Sequence, residues 1–440
     1  MIRVGYVPIV RPLFRGARMG LWEASRRTLA DLAPRLGFEL AYASEPATDG
    51  AQARACAAEA RRADLDLLLV QHVTFATGDV VTPLLDVPVP LALWALPEAT
   101  TAGPLPQNAL CGLNLSMSLR RARPAPLVWL YGAPDDPVVP RRLDRLLRAA
   151  RGWRALTRGR LLWIGGAAPG FFRFDQRPAL SIRVDQAPLE AVFETLSRIP
   201  DDEVDARLTE LAEPSDLPIE TLRRSVRLEL ALAALARGYD GVALRCWPEL
   251  PDTAGTMACA AFAWLGDRGV PMACEGDASG LAAMVAMAAV TARPAVLLDL
   301  THVQGEDLIF WHCGNAPRAW AAGETRLIAH FNRGVPAVRH MRLRPGPASG
   351  VRFLEEAQAV VYAGTVHAGR DGYDGVTGTV GDLRWGGTAI SAREFVASVL
   401  NHRIPHHFAW GMGDVEDVLT ELCAWLGLRV LPPSTEGAIR

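Results

Sequence analysis

Short apolar runs alternate with amphipathic stretches through the first 155 residues. The runs Arg3–Val10, Glu39–Ala43, Leu65–Val70, Val89–Leu96 and Pro126–Tyr131 read as strands. Between them, Leu21–Leu36 and Ala51–Arg62 place apolar residues at helical spacing. Alternation at this pitch predicts a doubly wound, mostly parallel sheet. A second block repeats the pattern: a strand over Leu161–Gly165, helices over Pro188–Arg198 and Ile219–Arg237, then strands over Val242–Cys246 and Pro271–Cys274. The stretch Ala278–Thr291 is apolar on every side, which predicts a helix buried between layers. After residue 294 the texture changes to short strands and glycine-rich turns: Ala295–Leu300, Arg326–Phe331, Ala337–Arg342, Ala359–His367 and Thr377–Leu383, with a last helix over Val415–Leu426. The expected fold is therefore α/β. Two doubly wound parallel-sheet domains (1–155 and 156–293) precede a smaller β-rich, barrel-like C-terminal domain (294–440).

Composition narrows the chemistry. Among 440 residues there is no lysine, so all 46 fixed positive charges are arginine. Schiff-base chemistry and the lysine-bearing phosphate loop are closed to this chain. No GxGxxG follows the first strand, which removes the usual dinucleotide fingerprint. Eight arginines fall in Pro137–Arg160, but a net charge of −2 reads against a nucleic-acid partner and makes that stretch a solvated or subunit-facing helix. The start, MIRVGYVPIV, reads as a strand and not as a signal peptide. No run approaches about 18 apolar residues, so no membrane span is expected. The seven scattered cysteines fit reduced thiols. Together these predict a cytoplasmic protein.

Histidine is unevenly spread: of nine, only His72 precedes residue 300. Imidazole is a common ligand for divalent metals, so a metal or acid–base site is expected toward the C-terminus. Three segments concentrate candidates. In MACEGD (Met272–Asp277), Glu275 follows a strand, where open α/β sheets place their ligands. In PAVLLDLTHVQGEDLIFWHCG (Pro294–Gly314), Asp299 follows four apolar residues, and a buried carboxylate must be paired, protonated or metal-bound. His312 follows between aromatic neighbours. In IPHHFAWGMGD (Ile404–Asp414), adjacent histidines on an extended segment point to opposite faces, so at most one of His406 and His407 is expected at a shared site. Two carboxylates and an imidazole suit Mn²⁺ or Mg²⁺, with Co²⁺ also compatible.

These segments resemble the L-fucose isomerase/L-arabinose isomerase family. The likeness is carried by MACEGDASGLAAM, VLLDL, FWHCGNAP and IPHHFAWGMGD, with weaker matches at ALRCWPEL, RPLFRG and NALCGLNLSMSL. The resemblance implies a metal-dependent aldose–ketose isomerase in which Glu275 and Asp299 are metal ligands and share the acid–base work, and His407 completes the ligand set. It implies a further role for His312, as ligand or substrate contact. It also implies a homotrimer or homohexamer in which the loop bearing Arg11, Phe14 and Arg15 enters a neighbour's site. Arginines there would favour an anionic sugar, such as a sulfonate, because a guanidinium binds such groups through two parallel hydrogen bonds. Trp247, Trp311 and Trp385 are candidates for covering a sugar's apolar face.

Other readings share the same features. Two doubly wound lobes also describe non-catalytic sugar binders. A divergent epimerase or lyase could use the same metal site. A binder would need neither two carboxylates nor a histidine at strand mouths.

Overall fold

The computed structural model describes residues 1–119, 128–174, 178, 180–211, 213–368 and 372–434. The first two residues of the strand expected over Pro126–Tyr131 lie outside that set. The chain forms two compact units. One is Met1–Arg154 with Glu421–Gly427; the other is Ala155–Thr420 with Leu428–Arg440.

The first unit holds a five-stranded sheet. Its strands are β1 (Ile2–Ile9), β2 (Phe38–Ala43), β3 (Leu67–His72), β4 (Leu91–Ala95) and β5 (Val128–Tyr131), in the order β2-β1-β3-β4-β5. Every pairing is parallel. Helices Leu21–Leu36 and Gly50–Arg62 fall where the apolar spacing puts them. β3 and β4 are buried at every position, as strands covered on both faces must be.

The second unit holds two sheets. A four-stranded parallel sheet comprises β6 (Arg160–Ile164), β7 (Arg183–Ala187), β8 (Gly241–Leu244) and β9 (Met272–Ala273), in the order β7-β6-β8-β9. A mixed ten-stranded sheet follows: β10 (Val296–Gln304), β11 (Asp307–His312), β12 (Arg326–Ile328), β13 (Val338–Arg342), β14 (Gly346–Leu354), β15 (Gln358–Val366), β16 (Val376–Trp385), β17 (Thr388–Ala389), β18 (His407–Met412) and β19 (Arg429–Val430). Six of these close on themselves as β16-β11-β10-β18-β14-β15, because β15 pairs back to β16, and all six contacts are antiparallel. This is the barrel the C-terminal texture predicts.

The barrel is filled by aromatic rings. Phe310 and Tyr362 pack on Trp410 at 5.0 and 4.8 Å between centroids, edge to face, with Phe395 and Phe408 beside them. Burying each such ring contributes roughly 1.5–3 kcal/mol. Gly350 makes room for one of them, since a Cβ there would lie 2.0 Å from the Tyr362 ring. The all-apolar helix Ala278–Thr291 has the expected limits and packs between the two sheets, against β8 on one side and β14 and β18 on the other. No helix among the described residues is long and apolar enough to cross a membrane.

Candidate functional site

The site is built where the parallel sheet of the second unit meets its barrel. β9 ends at Ala273, and the chain turns sharply through Cys274-Glu275-Gly276 before the buried helix begins. Glu275 itself is left-handed, with φ 61°, a conformation that costs a non-glycine residue about 1 kcal/mol or more. Gly276 follows at φ 73°, and a Cβ there would sit 1.9 Å from the Gly166 carbonyl oxygen. The glycine thus lets the loop after β6 close over the turn, where the Ala168 N–H donates to the Glu275 carbonyl at 2.9 Å. The strain and the close approach together aim the Glu275 carboxylate.

Asp299 comes from β10 and His407 from β18. The two are register partners in an antiparallel pair, so their side chains leave the sheet on one face. His407 Nε2 lies 3.5 Å from Glu275 Oε2 and 3.6 Å from Asp299 Oδ1. Among the described residues, both His407 Nε2 and Asp299 Oδ1 are buried without a hydrogen-bond partner. The structure therefore brings together the three residues that the sequence singles out.

The other His407 nitrogen is held from behind by a carboxylate. His407 Nδ1 lies 3.0 Å from Asp277 Oδ2. Burial acts to raise the Asp277 pKa, but the Arg352 guanidinium and His407 outweigh it and hold the carboxyl below its ordinary range. Asp277 is thus an acceptor only, so His407 Nδ1 donates to it and Nε2 is the nitrogen that faces the two carboxylates. Asp277 also accepts from both terminal nitrogens of buried Arg352 on β14, and from Gly280 N–H as the cap of the buried helix. One carboxylate fixes a helix start, neutralises a buried arginine and orients an imidazole. A carboxylate–histidine pair of this kind is the usual support behind a metal-ligating histidine.

His406 also reaches the site, contrary to the expectation from strand alternation. It precedes β18 on a bend, so the two-residue period does not apply to it. Its Nε2 lies 3.1 Å from Glu275 Oε2, and its ring is 4.4 Å from that of His407. Burial acts to raise the Glu275 pKa; the His406 hydrogen bond and the neighbouring imidazoles outweigh it, and the balance is a lowering. Glu275 is held as a carboxylate.

Aromatic side chains wall the cluster. Phe174 stacks on His407 at 4.8 Å and carries the Arg352 guanidinium on its ring at 5.7 Å. Phe171 touches His406 at 5.4 Å and meets Trp247 edge-on at 5.6 Å. Trp247 is therefore one ring removed from His406.

Of the remaining candidates, His312 adjoins the cluster, where its ring, Cys274 and His407 bring donor atoms within 4.8 Å of one another. His312 is buried, 5.6 Å from His407 ring to ring, with both nitrogens engaged: Nδ1 accepts from Cys313 N–H at 2.7 Å, and Nε2 faces Cys274 Sγ at 3.0 Å. Burial pushes the Cys274 thiol up, so it stays protonated. Trp385 is wholly enclosed in the barrel core, its indole N–H donated to the Leu431 carbonyl. Arg11, Phe14 and Arg15 belong to the first unit: Arg11 bonds Thr74 and Thr77, Phe14 lies 6.3 Å from Phe75, and Arg15 is exposed on a short 3₁₀ turn.

Chemically, the cluster is a set of hard and borderline donors. Donor atoms of Glu275, His406 and His407 all lie within 4.8 Å of one another. The 3.5 and 3.6 Å separations around His407 Nε2 are close to the roughly 3 Å edge of an octahedron with ~2.1 Å bonds. A buried imidazole nitrogen with no hydrogen-bond partner, facing two carboxylates, is a donor set that fits a divalent cation.

No family model matches the chain. Among curated proteins it is similar to the sulfoquinovose isomerase of Priestia aryabhattai, with 26% identity over 384 residues, covering 83% of this chain and 85% of that protein. The sulfoquinovose isomerase of Priestia megaterium (strain ATCC 12872 / QMB1551) matches with the same figures. That of Alkalicoccus urumqiensis is 27% identical over 267 residues, covering 57% of this chain and 59% of its own.

Proposed function

We propose that this chain is a metal-dependent aldose–ketose isomerase of the fucose/arabinose isomerase type, acting on a sulfonated sugar through a cis-enediol. The supporting observation is the buried, unpartnered His407 Nε2 facing Glu275 and Asp299. The substrate class follows the sulfoquinovose named in the similar proteins.

Glu275, Asp299 and His407 would hold Mn²⁺, with Mg²⁺ or Co²⁺ as alternatives. When bound, the cation supplies Lewis-acid stabilisation of the negative charge that develops on the sugar oxygens. The protein's own part is proton transfer. Aldose–ketose interconversion removes a proton from C2, leaves an enediol, and returns a proton to C1. Glu275 and Asp299 are the two carboxylates placed for this work. Asp277 accepts from His407 Nδ1 and orients the ring, so that Nε2 is the nitrogen that would meet the cation. His406 donates to Glu275 and restrains its rotamer. The rings of Phe171 and Phe174 exclude water from one side, which strengthens each electrostatic contact within. A cytoplasmic homo-oligomer, trimer or hexamer, belongs to the same reading. The test is isomerisation of sulfoquinovose followed by NMR: the wild-type protein should interconvert aldose and ketose, and Asp299→Asn should not.

A further inference from the structure

A sulfonated sugar presents a fixed negative charge at the end opposite its reacting carbons, and the cluster of Glu275, Asp299, Asp277 and His407 offers it nothing. The single arginine in that cluster, Arg352, is buried and neutralised by Asp277. A cation elsewhere along the cleft is required.

Arg333 meets the requirement. It is exposed, it has no salt-bridge partner among the described residues, and its guanidinium lies over the Trp247 ring at 5.0 Å. Two separate routes connect it to the reacting groups. Along an aromatic wall, Trp247 touches Phe171, Phe171 touches His406, and His406 bonds Glu275. Along its own loop, the preceding residues Phe331 and Asn332 line a cleft of about 350 Å³ with Thr301, Trp311, Tyr373 and Asp374. Trp311 is the register partner of Asp299, so the strand pair that carries the second carboxylate also lends a residue to this cleft. Phe331 packs on Trp311 at 5.4 Å.

The loop is a compact turn. Arg333 N–H and Gly334 N–H both donate to the His330 carbonyl, at 3.1 and 2.8 Å, and Asn332 N–H donates to His330 Nδ1 at 3.3 Å. The backbone of the loop is thus fixed and the guanidinium rests on the indole face, with no ion-pair partner on its N–H edge among the described residues. A planar fork of N–H donors matches two oxygens of a sulfonate.

We infer that Arg333, seated on Trp247, binds the sulfonate and selects the charged sugar over its neutral counterpart. This rests on the sulfonated-sugar isomerase reading, but it can be tested apart from turnover. Binding of sulfoquinovose, and of the same sugar lacking the sulfonate, is measured by calorimetry on the metal-loaded protein and on Arg333→Gln and Arg333→Lys. The expected result is a tenfold or greater loss of sulfoquinovose affinity in Arg333→Gln, a smaller loss in Arg333→Lys, and unchanged affinity for the neutral sugar. Equal weakening for both sugars would mark Arg333 as merely structural, and an unchanged sulfoquinovose affinity in Arg333→Gln, or no binding to wild type, would equally overturn the assignment. Turnover is then read separately. Sulfoquinovose that binds through Arg333 without being isomerised sinks the reaction and spares this inference. Isomerisation at an unchanged KM in Arg333→Gln does the reverse.

Discussion

Asp299 and His407 stand directly opposite each other on β10 and β18, with Oδ1 and Nε2 3.6 Å apart and neither atom hydrogen-bonded. Leaving two buried polar atoms unsatisfied costs about 1–3 kcal/mol each. The arrangement is stabilised from behind by Asp277, and it fits the cation site proposed above.

Asp277 carries the first prediction. Asp277→Asn keeps the shape but removes the charge that orients His407 and balances Arg352. Mn²⁺ affinity should fall roughly 10- to 100-fold. Stability should fall by about 3–5 kcal/mol, because Arg352 is left as an uncompensated buried charge. Metal titration and denaturant unfolding measure the two effects. Unchanged metal affinity would mean that Asp277 does not orient His407.

Gly276 carries the second. A methyl group there meets the Gly166 carbonyl at 1.9 Å, on a residue with φ 73°. Gly276→Ala should destabilise the second unit by about 2 kcal/mol or more, and should weaken metal binding by shifting Glu275. Thermal unfolding with and without Mn²⁺ reads both, and an unchanged Tm contradicts the account of the turn.

The third concerns pH and a residue of the first unit. His72, at the end of β3, is buried against Ser116, and burial lowers its pKa to about 4. It folds neutral, whereas in the unfolded chain it titrates near 6.5. The stability it contributes is complete above the unfolded value and is lost as pH falls from about 6.5 toward 4, by about 3 kcal/mol at most. Wild-type stability should therefore drop across that window, and His72→Gln should flatten the drop. Parallel curves for the two proteins would rule out His72 as the group responsible.

What could be read in the sequence was what lies in short linear stretches. MACEGD, VLLDL and IPHHFAWGMGD each join an apolar run to a carboxylate or an imidazole, so Glu275, Asp299 and the pair His406–His407 stand out before any fold is known, and the family resemblance selects His407. The buried helix Ala278–Thr291 is equally legible, since an apolar surface on every side leaves no face for water. The supporting residues are not legible in the same way. Asp277 lies two positions from Glu275, but its role depends on Arg352, which is 75 residues away on β14. That strand begins Gly-Pro-Ala-Ser-Gly and reads as a turn. Strand alternation admits only one of His406 and His407, and the bend before β18 brings in both. Trp385 alternates like any strand aromatic, and nothing local says that it faces the interior of a closed barrel.

The most direct test is metal-dependent turnover of sulfoquinovose. Protein stripped by chelator is assayed by NMR alone and after adding back Mn²⁺, alongside Asp299→Asn treated identically. The account predicts no isomerisation by the stripped protein, recovery on adding Mn²⁺ to wild type, and no recovery in Asp299→Asn, although that variant keeps its fold by circular dichroism. Wild-type turnover in the stripped protein, or full recovery in Asp299→Asn, would contradict it.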